Sequence, residues 1–148
     1  MTLLVKRLVQ GMVLLGLLLS GPATAGDGVD LTVAVVGLRG DKGHVHFGLY
    51  DNADKFPTRA GVIKFGRAAL EGGRAVFVFH DLTPGRYAIS VFHDENDNGK
   101  FDRTMIGLPL EGYGFSNDAK VVLSPPTFME AAFTVGDTGA TTTITIKY

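Results

Sequence analysis

The chain has 148 residues, 20% of them charged, a formal net charge of −1, and neither cysteine nor tryptophan. The missing cysteines exclude a disulfide-stapled scaffold. The near-neutral balance, with no run of Lys and Arg, excludes an electrostatic nucleic-acid interface.

The first element is a secretory signal. Lys6 and Arg7 form a positive start, residues 8–19 an apolar run, and Ala23-Thr24-Ala25 a small-x-small cleavage site. The apolar run is shorter than the ~20 residues a membrane span requires. Residues 1–25 are therefore expected to be removed, leaving residues 26–148 as one domain without a membrane span. Removal takes two of the 14 basic residues and none of the 15 acidic ones, so the mature net charge is −3. No cysteine remains for lipid attachment. The expected location is the periplasm or the extracellular space.

Beyond the signal, strands are predicted in order. Leu31, Val33 and Val35 alternate with Thr32, Ala34 and Val36. Val45, Phe47 and Leu49 alternate with His44, His46 and Tyr50. A strand is expected around 62–70. Ala75, Phe77 and Phe79 alternate with Val76, Val78 and His80, and Tyr87, Ile89 and Val91 with Ala88, Ser90 and Phe92. A further strand is expected at 131–135, and Ile144, Ile146 and Tyr148 alternate with Thr143, Thr145 and Lys147. Period two with β-branched and aromatic residues argues strand each time. The turns at 39–43, 71–73 and 83–85 read as hairpins. The sum is an all-β, single antiparallel β-sandwich of about seven strands, with one long irregular stretch over 94–126.

That stretch opens on Asp94-Glu95-Asn96-Asp97-Asn98-Gly99-Lys100-Phe101-Asp102. A hard cation such as Ca²⁺ takes six to eight oxygens, drawn in a 12-residue loop from positions 1, 3, 5, 7 and 9, with glycine at 6 for the sharp turn. Asp94, Asn96, Asn98, Lys100 (through its carbonyl) and Asp102 fall on those positions. Position 12, where a bidentate Glu belongs, is Met105, so this is not a helix–loop–helix hand. The missing oxygens are expected from Glu111, another loop or water. The same composition also suits an ordinary turn with solvated acids.

Other candidates are weaker. His44 and His46 share one strand face, a spacing able to hold Zn²⁺ or Cu²⁺ but better read as a polar edge. His80 and His93 lie beside Asp81 and Asp94 as structural hydrogen-bonding residues, with His93 available to brace the ion loop. Tyr113 and Phe115 are framed by glycines. As exposed rings they suit contact with a carbohydrate or an envelope protein, although large aromatics usually bury much of their surface. No nucleophile elbow, phosphate loop or zinc helix is present.

The run Leu82-Thr83-Pro84-Gly85-Arg86-Tyr87 resembles the turn of transthyretin-like and collagen-adhesin B-type sandwiches. Residues 87–117, with Val91-Phe92-His93-Asp94-Glu95-Asn96, Asn98-Gly99-Lys100, Gly107-Leu108-Pro109 and the run from Glu111 to Asn117, are similar to a secreted bacterial family catalogued as domain of unknown function 2141. Pro125-Pro126-Thr127-Phe128 and Glu130-Ala131-Ala132-Phe133 resemble its C-terminal segment. The resemblance implies a small exported transthyretin- or immunoglobulin-like β-sandwich and no established activity. Ring-cleaving dioxygenases and hydroxyisourate hydrolases on related folds match poorly. The tyrosines here follow the His pair, and the Tyr-Arg-Gly-Ser ending is absent. The reading is a monomeric, calcium-stabilised binding or structural module of the cell envelope. The alternative is an envelope enzyme using dispersed His80, His93 and Asp81.

Overall fold

The computed structural model describes residues 28–148. The expected signal, residues 1–25, lies outside them. The described chain is mostly β: β1 (Val29–Val36), β2 (His44–Tyr50), β3 (Lys64–Ala69), β4 (Ala75–Leu82), β5 (Gly85–Asp94), β6 (Tyr113–Phe115), β7 (Phe133–Val135) and β8 (Ala140–Thr145), with one four-residue helix α1 (Phe128–Ala131).

Two sheets form. One runs β4-β1-β8. The other runs β3-β2-β5-β6, with β7 also pairing β5. The ten-residue β5 is the spine of the larger sheet, taking β2 along one edge and β6 and β7 along the other. Pairing is antiparallel except for β1 with β8, which is parallel. The expected wholly antiparallel arrangement is corrected there. The two strands are far apart in sequence, so no tight reversal forces them antiparallel.

The turns also need correction. The segments at 39–43, 71–73 and 83–85 do not close hairpins between paired strands. Each carries the chain from one sheet to the other, because β1 and β4 belong to the small sheet while β2, β3 and β5 belong to the large one. Only a local bridge between Glu71 and Arg74 forms at the second turn. Turn residues specify a reversal. Whether the flanking strands pair or face each other depends on which side of each strand is apolar.

The inward residues alternate as expected. Leu31, Val33, Val35, Phe79 and Ile144 of the small sheet meet Val45, Phe47, Leu49, Ile89 and Val91 of the large one in a single buried cluster. Each such side chain stabilises by about 1.5–3 kcal/mol when fully buried. The outer face of the large sheet carries a second cluster, where Tyr50, Ala88 and Phe115 lie under Phe128 and Ala131 of α1. Strand β6 was hidden within the stretch read as irregular. Three residues with a central glycine are too few to display a period.

Candidate functional site

The loop after β5 lies where β5 ends beside the start of β2, with Asp94 paired to His44 in the ladder. Asp94 belongs to the outward set of β5, yet it is fully buried. Its Oδ1 accepts the Asn98 N–H at 3.1 Å, and its Oδ2 accepts the Gly99 N–H at 2.8 Å. The Nε2 of His46 donates to the same Oδ2 at 3.1 Å. A buried carboxylate must be met by donors of this kind. Gly99 has φ of 73°, a left-handed turn that places its N–H back over Asp94.

The asparagines fold the loop further. Asn96 Oδ1 accepts the Asn98 N–H at 3.1 Å, and Asn98 Oδ1 accepts the Lys100 N–H at 2.8 Å. Both side-chain amides donate to one atom, Asp102 Oδ2, each at 2.8 Å. Three expected ligand side chains, Asn96, Asn98 and Asp102, are thus brought together, and Asp94 anchors the loop from beneath. Met105, at position 12, stands fully exposed.

Glu111 comes to the loop instead. It is 4% exposed, and its two oxygens accept the N–H groups of Glu95 at 3.2 Å and Asp102 at 3.0 Å. One carboxylate therefore ties both ends of the loop. Among the described residues no group of three or more His, Cys, Asp or Glu side chains forms a metal cluster. An ion here would rely on amide and carbonyl oxygens beside the carboxylates. The oxygen-only donor set suits a hard cation. Its entry requires the two amide N–H groups to leave Asp102.

A supporting layer surrounds the loop. Arg39 grips Glu95 through Nε and Nη2 at 2.7 and 3.1 Å, and that bond holds the Glu95 carboxyl below its ordinary pKa. The Arg39 guanidinium lies 4.2 Å over the Tyr148 ring, whose hydroxyl sits 2.6 Å from Nδ1 of the buried His93. His93 Nε2 is 2.7 Å from the Lys42 carbonyl, an obligate acceptor. The Nε2–H tautomer satisfies both bonds, with the Tyr148 hydroxyl donating to Nδ1. Burial raises the Tyr148 pKa.

The remaining candidates separate. His44 and His46 are no free edge pair, because His44 binds Asp97 at 2.6 Å and His46 binds Asp94. His80 pairs with Asp30 on the exposed small sheet and shares no hydrogen bond with His93. Ser116 is buried and donates to the Ala131 carbonyl at 2.6 Å, a bond that fastens α1. Phe115 is buried in the second cluster, and Tyr113 is half-buried against Phe101. Sequence reasoning missed the His46 contact with Asp94. The ladder sets His44 opposite Asp94 and His46 opposite Phe92, so the contact is a diagonal one across β2 and β5 that neither strand's own sequence displays.

Among the described residues no helix is long and apolar enough to cross a membrane. A bacterial family described as uncharacterized protein conserved in bacteria (DUF2141) matches residues 33–144. No curated protein and no solved structure matches.

Proposed function

The chain belongs to the DUF2141 family, and from that starting point we propose that it is an exported envelope module whose residue 94–102 loop takes up Ca²⁺. In this reading the two sheets form a monomeric β-sandwich, the ion orders one end of it, and the domain binds or braces rather than catalyses. The observation that carries the reading is the convergence of Asn96 and Asn98 on Asp102, with the buried carboxylates of Asp94 and Glu111 at the loop's base. Glu111 supports the loop by accepting the Glu95 and Asp102 N–H groups, so formal charge at the ligand positions rests on Asp94 and Asp102, and so low a charge implies weak binding.

Calcium-dependent melting tests the proposal. An ion that binds only the folded state stabilises it by RT ln(1 + [L]/Kd), about 1.4 kcal/mol at ten times Kd. A domain of this size should then melt on the order of 5 °C higher. Asp94→Ala with Asp102→Ala should abolish the gain. Because Asp94 also holds two backbone N–H groups, Asp102→Ala alone is the companion variant. Mg²⁺ at matched ionic strength is the control, since it demands a tighter octahedron and dehydrates reluctantly. Equal shifts with both ions, or an undiminished calcium shift in Asp102→Ala, would refute the ion site.

A further inference from the structure

A groove crosses the outer face of the large sheet, between the segment around Leu108 and the one around Val122. Its volume is about 450 Å³, within the range of small-molecule sites. Its floor is aromatic. Phe92, Phe101, Tyr113 and Phe115 follow one another with ring centroids 5.6, 5.9 and 6.4 Å apart. Its rim is aliphatic and open to solvent, with Leu108 58%, Val122 81% and Leu123 100% exposed. An adjoining hollow shares Phe92, Phe101 and Arg103 and extends toward Arg59 and Lys100.

The charges along this surface have one sign. Arg103, Arg59 and Lys100 line the two hollows, and no carboxylate lines either. Among the described residues neither arginine has an acidic partner. Arg103 lies 4.9 Å over the Phe101 ring and Arg59 5.4 Å over Phe65. An aromatic floor recognises a flat apolar body by offset or edge-on stacking. An unpaired guanidinium at its side recognises a carboxylate through two parallel N–H donors.

We propose that this groove is a binding site for an aromatic carboxylate, with the ring on Phe92, Phe101 and Tyr113 and the anionic group on Arg103. The proposal deepens the binding-module reading by naming a ligand class, and it does not require the ion.

The test is titration of the domain with 2-naphthoate and with its neutral counterpart 2-naphthamide, followed by heteronuclear NMR, in Ca²⁺ and again in EDTA. Naphthoate should bind at least tenfold more tightly than the amide, shifting the resonances of Phe101, Tyr113 and Leu108. Arg103→Gln should remove that preference while leaving amide binding unchanged. Val122→Asp, on the exposed rim, should repel naphthoate without perturbing the core. Equal affinity for acid and amide, or an unchanged preference in Arg103→Gln, would overturn the proposal. So would absence of naphthoate binding alongside capture by phosphatidylglycerol vesicles, which would make the apolar rim a lipid-inserting edge. Naphthoate binding that persists without a calcium effect on melting would sink the ion site and leave the groove standing.

Discussion

Thr127 and Glu130 show how single side chains hold the outer face together. Thr127 caps α1, its Oγ1 accepting the Glu130 N–H at 3.4 Å, while Glu130 Oε2 accepts from the Thr127 N–H and hydroxyl at 2.7 Å each. The pair satisfies donors that a helix start leaves open. It matters because α1 presses Phe128 and Ala131 onto the large sheet. The Thr127 backbone N–H, with its hydroxyl next, holds the Glu130 carboxyl below its ordinary value of 4.5. A depressed folded pKa contributes stability that is present above the unfolded value and lost as pH falls through the folded one. Thr127→Val should raise the Glu130 titration midpoint part of the way to 4.5, the backbone N–H retaining the remainder. It should also cost about 1 kcal/mol as a lost cap. Carboxyl-carbon NMR titration of the variant and the parent measures the first effect. An unchanged midpoint would show that the hydroxyl contributes nothing.

At the scale of elements, alternation was legible and partnership was not. Leu31–Val35, Val45–Leu49 and Tyr87–Val91 declare which residues face inward, because a strand's period is local. Which sheet a strand joins is a non-local matter, so three turns that read as hairpins proved to be crossings. The candidate site divides the same way. The Asp94, Asn96, Asn98 and Asp102 spacing was visible, whereas the bond from His46 and the placement of Glu111 beside Asp102 depend on register and on a loop returning. The crossing from β1 to β2 supplies a direct test. Gly43 has φ of 74°, and a Cβ there would sit 1.9 Å from the Asp94 carbonyl oxygen. Backbone strain and the clash add, so Gly43→Ala should destabilise by about 3 kcal/mol. The damage should concentrate at the loop. Denaturant melts read the first, and hydrogen exchange of the Asn98 and Gly99 amides the second. Gly72→Ala, also at positive φ but with nothing within 4 Å, should cost clearly less. Equal losses in the two variants would show that the close approach at Gly43 is not what matters.

At the scale of the whole molecule, both clusters depend on β2 and β5, which carry one cluster on each face. The small sheet depends in turn on β1, its central strand, bonded to β4 on one side and β8 on the other. Leu31, Val33 and Val35 of β1 are wholly buried, so trimming into β1 would strip both ladders and open the main core. This limits where processing can occur. A cut after Ala23-Thr24-Ala25, the one expected from the sequence, would leave β1 whole from Val29. A cut beyond Leu31 would remove a core residue and the first β1–β8 pairing, Leu31 with Ala140. We therefore predict that the exported protein begins at Gly26. Intact-mass spectrometry of the exported product, with sequencing of its N-terminal peptide, measures this. A product that retains residues 8–19 would reopen the membrane-anchor reading. A folded product starting after Leu31 would show that β1 is not the support its position implies.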